Sequence, residues 1–195
     1  MGRVGLAPCV AALVALCPVS ETAASSLEST SLESLAGDSD IVVVGRVVDT
    51  TALPNGPHGE SGIHTRVTLR ADDSVPESGR DTVSFWVHGG RLGNRLRRVV
   101  GQARFEPGEE VAVFLRGSAG GALWPTQMAR GKWWRFSAGG ARYVAPSVTL
   151  RGEPAPLPRP GDMLVAAPMR SPRMPRTALL ERYFLARVRA ARRLR

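Results

Sequence analysis

The sequence predicts an all-β domain: a small antiparallel barrel of five to six strands, closed or nearly so. A short N-terminal helix precedes it and a C-terminal amphipathic helix follows. Three observations carry this expectation. Between Asp40 and Leu150, apolar residues recur at every second position in short β-branched and aromatic runs. Glycine- and proline-rich turns separate these runs, and no long helical period falls among them. The strongest helical periodicity in the chain comes only after a proline-dense stretch near its end.

Residues 1–24 read as an export leader. Arg3 supplies a small positive region, VGLAPCVAALVALCPV an apolar core, and Thr22–Ala24 the small residues of a cleavage site near Ala24. Pro8 and Pro18 break the apolar run, which makes it short for a span of about 20 residues. A lipid anchor on Cys17 would need a small residue before it, where Leu16 stands. The expected location is therefore the periplasm or the exterior. Cys9 and Cys17 are the chain's two cysteines and both lie in the leader. The mature chain then has neither a disulfide nor a thiolate metal site, and an apolar core alone must hold it.

Residues 25–150 are the expected barrel domain. TSLESLAGDSD reads as one helix, with Thr30 and Glu33 spaced as a capping box and Gly37 as its stop. DIVVVGRVVDTTAL is the strongest strand, and Gly45 in mid-run marks a bulge or bend. GIHTRVTLRA alternates, with Ile63, Thr65, Val67, Leu69 and Ala71 on one side. His64, Arg66, Thr68 and Arg70 take the other, so His64 is expected in solvent. DTVSFWVH and EEVAVFLRG repeat the pattern, while KWWRF and ARYVAPSVTL are weaker strands joined by the turn SAGG. Trp133 and Trp134 are neighbours and must face opposite sides of a strand.

Residues 151–175 hold seven of the 15 prolines and read as an extended connector. Residues 176–195 read as a basic amphipathic helix capped by Thr177. Leu179, Leu180, Tyr183, Phe184 and Val188 lie on its apolar arc, with Arg187 the one charge inside that arc.

The charge distribution excludes one class of function. The formal net charge is +9, and every basic residue except Lys132 is arginine. Residues 170–195 hold nine arginines against the single acid Glu181, whereas residues 25–169 hold sixteen basic and fifteen acidic residues. A nucleic-acid-binding domain needs a basic face on its folded body. No nucleic-acid partner is expected here.

Catalytic and metal motifs are missing. There is no HExxH, HxH or cysteine pair, and no GxSxG elbow. No cofactor or metal is expected, and the chain reads as non-enzymatic. A metal-dependent enzyme built on His88, at a strand end beside two glycines, is the remote alternative. His58 sits in a Pro/Gly loop.

VHGGRLGNRLRRVVG, Val87 to Gly101, is the candidate binding surface. It lacks the GK[ST] of a phosphate loop. It does place Gly89, Gly90, Arg91, Arg95, Arg97 and Arg98 in one short stretch, with Arg104 close behind, on a body that is otherwise charge-balanced. Two readings stand: a solvated turn, or a contact surface for an acidic ligand or partner protein. Trp134 joins the candidates as an exposed aromatic. Leu180, Phe184 and Val188 form either a packing face against the barrel or a face for an anionic membrane surface.

Taken together, Ser39–Val47, Ile63–Ala71, Gly89–Gly90, Val100–Leu115 and Gln127–Trp133 resemble the pattern of a group of exported bacterial β-barrel proteins of uncharacterised function. The likeness spans roughly residues 30–136 and implies export and fold, not an activity. More distantly, the order of elements resembles the oligonucleotide/oligosaccharide-binding (OB) barrel of netrin-like and metalloproteinase-inhibitor domains. That resemblance implies an OB-like barrel. The inhibitors' zinc-blocking cysteine has no counterpart in a cysteine-free mature chain. The expected function is an exported, non-enzymatic binding module at the cell envelope or outside the cell. The alternative is association with a membrane surface through the C-terminal helix.

Overall fold

The structure, a computed structural model, describes residues 31–148 and 178–193. The expected leader 1–24, the connector 151–175 and the caps Thr30 and Thr177 lie outside the described residues. The elements in chain order are α1 (Leu32–Gly37), β1 (Ile41–Asn55), β2 (Ser61–Val75), β3 (Thr82–His88), β4 (Gly90–Leu92) and β5 (Arg95–Arg97). Then come β6 (Glu110–Gly117), β7 (Leu123–Pro125), a 3-10 turn (Met128–Gly131), β8 (Lys132–Ala138), β9 (Ala141–Pro146), β10 (Leu179–Leu180) and α2 (Glu181–Arg193).

The main sheet is antiparallel and runs β10-β9-β8-β6-β1-β2-β3. One edge of β6 is shared: β8 pairs with Val111–Val113 and β7 with Leu115–Gly117. An antiparallel β-sheet with one helix before it and one after it is what the sequence predicts, and among the described residues the sheet is not closed by a backbone ladder. Among the described residues β3 pairs only with β2 and β10 only with β9, so each ends the sheet with one edge lacking a ladder. Where β3 meets β7 the contact is through side chains, His88 stacking on Trp124 with ring centroids 4.5 Å apart.

Alternation along the strands explains why both faces of the sheet are apolar. Val42 and Val44 of β1, Ala112 and Phe114 of β6, and Trp133 of β8 point to one face, where α1 and α2 cover them with Leu32, Leu35, Phe184, Leu185 and Val188. Val43 and Val47, Val111 and Val113, and Val67, Leu69 and Phe85 line the other, concave face. A strand buried on both sides needs a continuous apolar run, which is what Val42–Val44 and Val111–Leu115 supply.

Gly45 sits at a register break: Val44 pairs with Asp73, but Gly45 pairs with Ala71. Asp72 is the extra residue of this bulge, and its side chain reaches Arg135. A Cβ on Gly45 would overlap the carbonyl oxygen of Arg70, so the bend and the glycine go together.

Both helices start later than expected. Ser31, not Thr30, caps α1, its hydroxyl accepting from the Ser34 N–H at 3.0 Å. At the C-terminus, Leu179 and Leu180 are strand, paired with Val144 and Tyr143, and the helix begins only at Glu181. The sequence periodicity missed this because a two-residue strand carries no period of its own. Within α2, Leu185 is buried and Tyr183 is exposed, the reverse of their places on the expected apolar arc. Burial of Phe184, Leu185 and Val188 contributes roughly 1.5–3 kcal/mol each. Arg187, the charge inside that arc, binds Glu33 of α1 with its Nε 2.9 Å from the carboxylate.

Candidate functional site

The chain leaves β3 through Gly89, whose φ of 88° is left-handed. The Gly89 N–H donates to the Ile63 carbonyl at 2.9 Å, and its own carbonyl accepts from the Thr65 hydroxyl at 2.7 Å. A Cβ on Gly89 would lie 2.6 Å from the Arg97 carbonyl oxygen. Gly90 is packed as tightly against the Thr65 side chain. These two glycines are therefore explained by the fold: they let the next segment turn back across β1 and β2.

That segment is a hairpin, where the sequence predicts a turn. β4 and β5 pair as Gly90 with Arg97, Arg91 with Leu96 and Leu92 with Arg95, around the Gly93–Asn94 turn. A Gly-Asn pair between two short apolar-basic runs was the available signal. The hairpin forms a separate two-stranded sheet. Arg97 ties it to the start of β2 by donating to the Ser61 carbonyl at 3.3 Å.

Between the hairpin, the outer part of β1 and β2, and the segment 98–106 lies a cleft of about 480 Å³. Arg91, Arg97, Arg98 and Arg104 line it, as do Gly89 and Gly90, with Glu106 the one carboxylate on its wall. Its apolar side includes Val87, Ala103 and Phe105, which also belong to the concave core. Leu96 adds a side chain that is 50% exposed. Arg95 stands outside the cleft on β5. Arg91, Arg95, Arg98 and Arg104 are all exposed, and none has an ion-pair partner among the described residues.

Trp134 does not join them. It is half-buried against the concave core, with the Lys132 ammonium 4.0 Å from its ring centroid. Trp133 faces the opposite way under α2, 5.4 Å from Phe184 between ring centroids.

Lys132, to which no sequence motif assigns a role, is buried beside the cleft. Its ammonium donates to the Arg104 carbonyl at 2.5 Å and to Glu109 at 2.7 Å, and it lies 4.7 Å from the Phe105 ring. Burial pulls its pKa below the usual lysine range, with Glu109 opposing the shift. One side chain thus holds Arg104 and Phe105 of the segment that forms the cleft wall, together with Glu109 just beyond it. Its being the chain's single lysine was the available clue.

The histidines depart from expectation in one case. His64 is only 2% exposed, because β7 brings Trp124 over the outer face of β2. Its Nδ1 lies 2.7 Å from the Gly62 carbonyl, and its ring meets His88 edge-on at 5.1 Å. His88 itself remains exposed at its edge, with its pKa held below the usual histidine range by burial and then by the charges of His64 and Arg97. His58 lies 3.0 Å from the Ser118 hydroxyl. Among the described residues no three His, Cys, Asp or Glu side chains are arranged to hold a metal ion. Every buried side-chain nitrogen and oxygen there has a partner.

The remaining candidates belong to the C-terminal segment. Phe184 and Val188 are fully buried against the sheet, and Leu180 is half-buried in β10. No helix among the described residues is long and apolar enough to cross a membrane. Comparison of the chain with protein-family models, curated proteins and solved structures gave no match.

Proposed function

We propose that this chain is an exported, non-enzymatic binding module, an OB-like barrel whose arginine hairpin and cleft take an acidic partner. One observation carries the reading: Arg91, Arg98 and Arg104 converge on a cleft, with Arg95 beside it, and all four lack a carboxylate partner among the described residues. Guanidiniums without a carboxylate partner, grouped at one cleft, suit carboxylate, phosphate or sulfate. The barrel part draws support from the approach of β3 to β7 through the His88–Trp124 stack. Export rests on the composition of the leader. Burial of Phe184 and Val188 favours packing as the role of α2 over lipid contact.

Fluorescence anisotropy with a labelled oligoglutamate peptide tests the reading. The native chain should bind it, more weakly as salt rises, and Arg91→Gln/Arg95→Gln/Arg98→Gln should weaken binding about tenfold or more. Equal affinity for native and triple variant would overturn the assignment.

A further inference from the structure

The cleft has a second character that charge alone does not use. Its volume of about 480 Å³ falls in the ordinary range of small-molecule sites, roughly 300–1,000 Å³. Its floor is not polar: Val87, Ala103 and Phe105 are at most 8% exposed and continue the concave core outward to the cleft. Leu96 stands across from Arg91 in the hairpin and leaves half of its surface open to solvent. Nothing in the packing of the hairpin requires a leucine there, since Leu96 belongs to neither core cluster.

A small polar anion would satisfy the arginines and leave this apolar surface wet. A neutral apolar molecule would cover the floor and leave the guanidiniums without a counter-charge. We infer that the cleft holds a small amphiphilic anion, an apolar chain on Val87, Leu96 and Phe105 with a carboxylate or phosphate head between Arg91, Arg98 and Arg104. Arg97 is the poorer head ligand, because its guanidinium already donates to the Ser61 carbonyl. Lys132 takes no part in contact. By gripping the Arg104 carbonyl, Glu109 and the Phe105 ring, it positions the wall that carries one head group and part of the floor.

This inference rests on the acidic-partner reading and sharpens it to a ligand class. Its probes are octanoate, acetate, octanol and inorganic phosphate, titrated into the full chain by calorimetry and by amide NMR. Octanoate should bind at least about tenfold tighter than acetate or phosphate, since each buried methylene adds roughly a fourfold gain. It should also bind about tenfold tighter than octanol, which lacks the charge. The amide shifts should centre on Val87, Leu96 and Phe105. Leu96→Ser should remove most of the preference for octanoate over acetate, and Arg98→Gln should remove most of the preference over octanol. Both positions are exposed, so both variants are expected to fold. Equal affinity for octanoate and acetate overturns the amphiphile while leaving an acidic partner standing if oligoglutamate still binds. Octanoate shifts that centre on α2, with Val87 and Phe105 unmoved, also overturn it. Failure of both octanoate and oligoglutamate removes the two readings together.

Discussion

Arginine is used in two opposite ways in this molecule. Beneath and around α2, Arg135 holds Asp72 and Glu181, and Arg142 reaches Glu181 at 3.4 Å. Arg187 binds Glu33, Arg189 lies 3.3 Å from Asp73, and Arg192 caps the backbone by donating to the Ser39 and Asp40 carbonyls. At the hairpin, Arg91, Arg95, Arg98 and Arg104 meet no carboxylate at ion-pair distance among the described residues. In α2, therefore, Arg187 and Arg189 have been given carboxylates by the body the helix docks on, and Arg192 its backbone carbonyls. The hairpin, on a stretch that looked balanced overall, keeps its charge. Net charge by segment misleads once the chain folds, and what decides availability is which arginines have been given an acid.

The contrast breaks most easily at Arg135, which is 3% exposed and sits between β8, the bulge at Asp72 and the first turn of α2. Arg135→Leu leaves Glu181 buried with only the more distant Arg142. Removing one partner from a buried ion pair costs about 3–5 kcal/mol, and urea denaturation should register a loss of that size. Arg135→Leu/Glu181→Leu should recover a large part of it, because the second change removes the stranded charge. A single-variant loss under about 1 kcal/mol would mean that pairing beneath α2 is not structural, and the comparison would fail on that side.

Some of this was legible in the residues and some was not. β2 and β3 follow from alternation, β1 and β6 from β-branched apolar runs, and Gly45 marks the bend, because each depends on local pattern alone. The hairpin's arginines were also legible as a cluster. What alternation does not carry is how far a sheet closes, which depends on the reach of a three-residue strand, β7, along an edge already shared with β8. The same short strand reversed the expected exposure of His64 by bringing Trp124 over it. Gly89 and Gly90 line the cleft as well, and the close approach of the Arg97 carbonyl and the Thr65 hydroxyl is a packing reason for them that the sequence does not display. Lys132 was missed because its importance lies in three long-range contacts, to Arg104, Phe105 and Glu109, that no spacing rule links.

A smaller effect is expected at the seam between β3 and β7. His88 has its pKa depressed by burial first, then by His64 and Arg97, while Glu60 opposes the shift. In the unfolded chain the same side chain titrates near the ordinary histidine value of 6.5. Between the depressed folded value and 6.5 the unfolded state binds more protons, so stability rises with pH across that window. The penalty is fully present below the folded value and absent above the unfolded one. The native chain should therefore melt at a lower temperature at about pH 5 than at about pH 7. His88→Phe keeps a ring against Trp124 and should flatten part of this dependence. An unchanged slope would assign the pH response to other groups.

The smallest expected change in stability is also the one that sharpens the comparison most. Arg91, Arg95 and Arg98 are exposed and make no ion pair among the described residues, so nothing in the folded state is lost when their charge goes. Arg91→Gln/Arg95→Gln/Arg98→Gln should shift unfolding by no more than about 0.5 kcal/mol. Relief of repulsion among three neighbouring cations makes a slight gain as natural an outcome as a slight loss. The same triple variant is expected to lose oligoglutamate binding, whereas Arg135→Leu loses stability first. A loss above about 1 kcal/mol in the triple variant would mean that the hairpin arginines hold the hairpin down, in the manner of Arg97 on Ser61. The charge would then be serving the fold at both ends of the molecule, and the case for a partner at the cleft would have to stand on its apolar floor alone.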